Sequence, residues 1–202
     1  MATVAELVES LANRLGEPVA TVRQKVRRLQ DEGLLPLASG RLVPAITARH
    51  AALAIFAVAT AGSIKVASGN ANRYAQLKPP IGHLPRHFPI TPGHEDETLT
   101  ALAFLTKALS SLGSSADGVG YTNANAVYDF CISWPELFVR APIFGGDDDA
   151  VNTLHLRFVE TGVSASHWQE PVKKTFSIGG IALAYIAYDL GFTSGEAGEI
   201  VG

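Results

Sequence analysis

The sequence predicts an α+β protein, and three observations predict it. Apolar residues recur at helical spacing over residues 4–35, and an Ala-rich apolar run follows them. Apolar and polar residues alternate at strand spacing between residues 126 and 160. Five prolines and two glycines over residues 79–97 separate the two patterns. The expected organisation is a helical head over residues 1–75, a Pro/His-rich linker over 76–97, and a body over 98–202. The body combines a meander of three or four antiparallel strands with two or more helices.

The first helix starts at Val4. Thr3 is placed to cap it and Glu6 three residues on completes a capping box. Val4, Leu7, Val8, Leu11 and Leu15 form one apolar stripe. Gly16 stops the helix in a left-handed residue. Pro18 suits the first turn of the next helix, where its missing N–H costs nothing. That second helix runs from 18 to 32, with Val19, Val22, Val26 and Leu29 as its buried stripe, and Gly33 ends it. Arg23, Gln24, Lys25, Arg27 and Arg28 lie elsewhere on its circumference. Residues 37–44 read as a small β-hairpin or wing around Ser39-Gly40, with Arg41 near the tip.

Two short helices joined by a tight turn, the second bearing cations on one side, form the layout that places a helix in the DNA major groove. Leu15-Gly16, Thr21-Val22-Arg23, Arg27-Arg28-Leu29 and Glu32-Gly33-Leu34-Leu35 resemble the winged helix-turn-helix of bacterial regulators of the GntR type. The MarR and MerR types are more distant in pattern. The resemblance covers residues 4–45. It implies double-stranded DNA as partner, with Arg23, Gln24, Lys25, Arg27 and Arg28 on the reading helix and Arg41 on the wing. Pro18 departs from it, standing where that family carries a capping Ser or Thr.

Charge is distributed unevenly. Residues 1–90 hold 11 Lys and Arg against 5 Asp and Glu, while residues 91–202 hold 5 against 14. A basic head is drawn to phosphates and an acidic body is repelled by them, so the head faces DNA. The acidic body is then free for self-association, with a dimer expected, or for a protein partner or ligand. The one cysteine, Cys131, excludes an intrachain disulfide and fits a reducing cytoplasm. The first 15 residues are acidic and amphipathic, unlike a signal peptide, and the apolar run at 51–62 is too short to span a bilayer. A soluble cytoplasmic protein without membrane contact is expected.

Thr47 is placed to cap a third helix from 48 to 68, used either for dimerisation or for core packing. A fourth helix is expected over 98–112. Strands follow over 126–133, 137–144, 153–160 and 174–178, then a last helix over 181–190 stopped by Gly191. Arg140, His155 and Arg157 share one sheet face and are candidates for an anion or ligand site. His83 and His87 flank Pro85, so the pair reads as linker rather than metal ligands. Asp147-Asp148-Asp149 reads as a solvated hairpin tip. Gly179-Gly180 offers free N–H groups to a phosphate at a helix start.

No nucleophile elbow, P-loop, dinucleotide fingerprint or paired carboxylates appear, and neither a cofactor nor enzymatic activity is expected. The favoured reading is a sequence-specific transcriptional regulator. The alternative is a phage-type DNA-packaging protein of the small-terminase kind. An enzyme in the C-terminal domain ranks third.

Overall fold

The computed structural model describes residues 2–37, 43–80, 99–112, 125–144, 150–161 and 174–192, with 142–144 and 150–154 described by backbone alone. The helices are α1 (Val4–Leu15), α2 (Val19–Asp31), α3 (Ala48–Thr60), α4 (Ala67–Ala75), α5 (Ala101–Leu112) and α6 (Gly180–Asp189), with a 3₁₀ turn at Ile64–Val66. The strands are β1 (Val127–Cys131), β2 (Glu136–Phe144), β3 (Ala150–Val159) and β4 (Thr175–Gly179). The class is α+β, as the periodicities predict.

Local chemistry sets the first two helices. The Thr3 N–H donates to the Glu6 carboxylate at 2.7 Å, and the Glu6 N–H donates back to Thr3 Oγ1 at 3.3 Å. Gly16 takes φ 70° and its N–H returns to the Ala12 carbonyl. After α2, Gly33 takes φ 73°. Its N–H reaches Gln30 O at 3.0 Å, and the Leu34 N–H reaches Leu29 O at 2.8 Å. Those two bonds close a Schellman motif, and a Cβ at Gly33 would strain it. Leu7, Val8 and Leu11 of α1 are buried, as are Val22, Val26 and Leu29 of α2.

Helix α3 is the centre of the molecule. Every residue from Ala51 to Thr60 is buried. It touches α2, α4 and α5 as well as β1 and β4. A helix apolar on all sides belongs inside a core. Its alanines let neighbours approach, and Phe56 fills the remaining space. The Phe56 ring lies 6.1 Å from Tyr74 and 6.0 Å from Phe130. Of the two uses weighed for this helix, core packing holds, and residues 51–60 keep no side for a second copy.

The expected continuous helix to residue 68 is corrected. The chain leaves α3 at Ala61, which is extended at φ −86°, ψ 108°. Three polar groups compete for the last carbonyls. Thr60 Oγ1 donates to Phe56 O at 2.6 Å. The Asn70 amide donates to Thr60 O at 2.9 Å, and Lys25 Nζ to Val58 O at 3.0 Å. The chain then restarts as α4, so Ser68-Gly69-Asn70 lies inside a helix.

The sheet has the order β3-β2-β1-β4 with every neighbour antiparallel. Strands β1 to β3 form the expected meander, but β4 returns beside β1, which is the Greek-key order. One face carries Tyr128, Phe130, Leu137, Val139, Leu156, Phe158 and Ile178, all buried. Phe158 lies 5.1 Å from Phe104 of α5.

The β1 pattern expected to reach residue 133 stops at Cys131, where a turn begins. Cys131 is buried. Residues 77–78, assigned to the linker, are tied down. Lys78 pairs through its backbone with Val159 in both directions, at 3.0 and 2.8 Å, and Ala101 N–H donates to Leu77 O at 2.8 Å.

Head and body share one hydrophobic cluster. The Tyr74 hydroxyl of α4 donates to Cys131 O and, at 3.3 Å, to Trp134 O in the β1–β2 turn. Arg14 of α1 grips Asp189 of α6 with Nε and Nη2, each at 3.0 Å. The same guanidinium sits 4.4 Å above the Tyr185 ring.

Candidate nucleic-acid interface

On α2 the exposed stripe is Ala20, Arg23, Gln24, Arg27 and Asp31, opposite the buried valines. The spacing of three and four residues puts these side chains on one face. Arg23 makes no ion pair among the described residues. Arg27 meets Asp31 at 3.0 Å and Arg28 meets Glu32 at 3.3 Å, both one turn further along the same helix. These pairs are open to water, with Arg27 64% exposed, so they hold weakly. Positive charge is therefore most available in the first half of α2.

Lys25 is corrected. It is 5% exposed, and its ammonium donates to Val58 O in the last turn of α3. It satisfies a carbonyl that the helix leaves unpaired and sits at the negative end of the α3 dipole. Burial lowers its pKa. It is unavailable to DNA. The spacing already hinted at this, since Val22, Lys25, Val26 and Leu29 stand at i, i+3, i+4 and i+7. Arg28 is half-buried and tied to Glu32, so it contributes less than an open cation.

Pro18 has no N–H and offers no side-chain cap to α2. Val19 and Ala20, in the first turn, are exposed. Arg41 and the tip of the expected wing, residues 38–42, lie outside the described residues. Beyond them Ile46 N–H donates to Ala2 O at 2.8 Å, so the chain returns beside its own start.

The second candidate cluster does share one face. Arg140 pairs with His155 across β2 and β3, and Arg157 pairs with Phe138 in the next register position on that face. His155 stacks on Phe138 at 5.4 Å. Sequence reading missed the carboxylates among them. Asp129 accepts from Arg140 at 2.8 Å and from the Ser177 hydroxyl. Glu136, 3% exposed, pairs with Arg157 and accepts from the Trp134 indole at 2.8 Å. The small hollow between Asp129, Glu136 and Arg157 is thus compensated in charge and is no open anion site. Asp129 was legible as an outward residue of β1, but its partner was set only by the register.

Gly180 N–H donates to Ala126 O at 2.7 Å, so the Gly179-Gly180 pair does not present that amide to a phosphate. His83, His87 and Asp147 to Asp149 lie outside the described residues. Among the described residues no cluster of His, Cys, Asp and Glu is arranged to hold a metal. No described helix is long and apolar enough to cross a membrane. No protein-family model, curated protein or solved structure matches this chain.

Proposed function

We propose that the protein binds double-stranded DNA, with α2 as the reading helix. The observation that carries the reading is the open stripe Arg23, Gln24 and Arg27 on a helix set off from α1 by the short turn Gly16–Pro18. Recognition helices of this kind read base edges with residues near their N-terminal end. Arg23 and Arg27 suit guanine, and Gln24 suits adenine. The uncapped first turn of α2 leaves amides that suit a backbone phosphate. Regulation of transcription is the role such a reader fills, as a dimer on two half-sites.

The test selects bound fragments from random duplex DNA, then measures affinity by fluorescence anisotropy. Arg23→Ala and Arg27→Ala each weaken binding by about tenfold or more, since a good bidentate base contact is worth about 1–3 kcal/mol. Lys25→Met leaves affinity unchanged, because its ammonium is used inside the protein. DNA retention by the Arg23→Ala/Arg27→Ala double variant at wild-type affinity would remove α2 from the interface.

A further inference from the structure

Eight arginines lie among the described residues, and six of them are in ion pairs. The remaining two are Arg23, on the α2 face, and Arg49, which is far from that stripe in the chain and opens α3. Arg49 lines a cleft of about 470 Å³ between α3, α4 and the start of α5. Lys78 is a second cation on its rim, and its side chain likewise makes no ion pair among the described residues. Leu34, Leu53 and Leu102 supply apolar walls, with the Gln76 amide beside them. Among the described residues, no Asp or Glu lines the cleft. The acids nearest in sequence to lining residues, Glu160 beside Thr161 and Glu32 two before Leu34, meet Arg73 at 3.1 Å and Arg28 at 3.3 Å.

Both cations stand on rigid supports. Arg49 sits in the first turn of α3, where Thr47 and His50 form a capping box. Lys78 is fixed by its two backbone bonds to Val159. Two like charges facing one hollow repel each other, and an anion between them relieves that repulsion. Apolar walls with a few convergent polar groups, at this volume, are the composition of a small-molecule site.

We infer that this cleft binds a small organic acid, its carboxylate between Arg49 and Lys78 and its apolar body against Leu34, Leu53 and Leu102. The site is independent of the reading of α2. The probes are octanoate, its uncharged analogue octanamide, and inorganic phosphate, titrated into the full chain by calorimetry. Methyl NMR in parallel follows Leu53 and Leu102.

Octanoate binds and shifts those methyl signals, octanamide binds at least about tenfold more weakly, and phosphate binds more weakly still. Arg49→Gln and Lys78→Gln each weaken octanoate several-fold without changing the melting temperature, because neither side chain supports the fold. Equal binding of octanoate and octanamide would overturn the anion assignment. Phosphate matching octanoate would reduce the cleft to a patch of surface charge. Octanoate affinity unchanged in the Arg49→Gln/Lys78→Gln double variant, or unmoved Leu53 and Leu102 methyls, would place binding elsewhere.

Discussion

Helix α2 and the outer face of the sheet both carry arginines, and they treat them oppositely. On α2, Arg23 is exposed and makes no ion pair among the described residues, and Arg27 meets the water-exposed carboxylate of Asp31. On the sheet, Arg140 is clasped by Asp129 and Arg157 by the buried Glu136. The difference lies in the neighbours. A strand lays its side chains against those of the strand or strands beside it, so an arginine there meets whatever residue the register delivers. The outer side of a surface helix meets only its own next turn and water. A cluster of cations in the sequence stays available only where folding sets no buried carboxylate against it.

The largest test asks whether these regions are separable at all. Phe56→Ala removes the ring between Tyr74 and Phe130, and should cost about 3–5 kcal/mol of stability. Urea unfolding followed by far-ultraviolet circular dichroism and by tryptophan fluorescence should give one coincident transition. Two separated transitions would mean that helical head and sheet unfold independently and that α3 does not join them.

Glu136→Gln sharpens the contrast between the arginines. It removes the Glu136 charge that faces Arg157, 17% exposed, and should cost about 3 kcal/mol in the same unfolding measurement. Removing Arg23 should move stability by less than about 0.5 kcal/mol. A Glu136→Gln cost as small as that would mean the sheet arginine is as free as the helical one.

A smaller effect than that of Glu136→Gln is expected at the Arg14–Asp189 contact between α1 and α6. The Arg14 guanidinium holds the Asp189 carboxyl below its ordinary value of 3.8. The contact therefore stabilises the folded state above that value, and the benefit is lost as pH falls through the depressed pKa. Asp189→Asn should cost less than about 1 kcal/mol at neutral pH, because both side chains are partly solvated. The gap between wild type and variant should close in acid. A gap that widens with acid would reverse the assignment.

The legible parts of the fold are the ones settled over short distances. Thr3 and Glu6 announced the start of α1, and Gly16 and Gly33 its end and that of α2, because each cap bonds within one turn of chain. The alternation of Tyr128 and Phe130 against Asp129 separated the two faces of β1 for the same reason. The break after Thr60 was hidden. It depends on Lys25 and Asn70 reaching carbonyls of α3 from elsewhere in the chain. The candidate site divides in the same way. Arg23, Gln24 and Arg27 are legible as an outward stripe, whereas Lys25 follows its spacing beside Val22 and Val26 into the interior rather than its charge to the surface. Arg49 gave no signal at all, since the cleft around it is assembled from three separate helices.

Taken alone, the chain's residue order determined α1 and α2 with their ends, the α+β class and the alternation along the strands, since those follow from bonds and periodicities spanning a few residues. Tertiary packing decided that α3 lies at the centre, that β4 closes beside β1, and which cations remain unpaired. Those outcomes turn on contacts between residues tens of positions apart, where burial and cross-strand register rather than local propensity set the free energy.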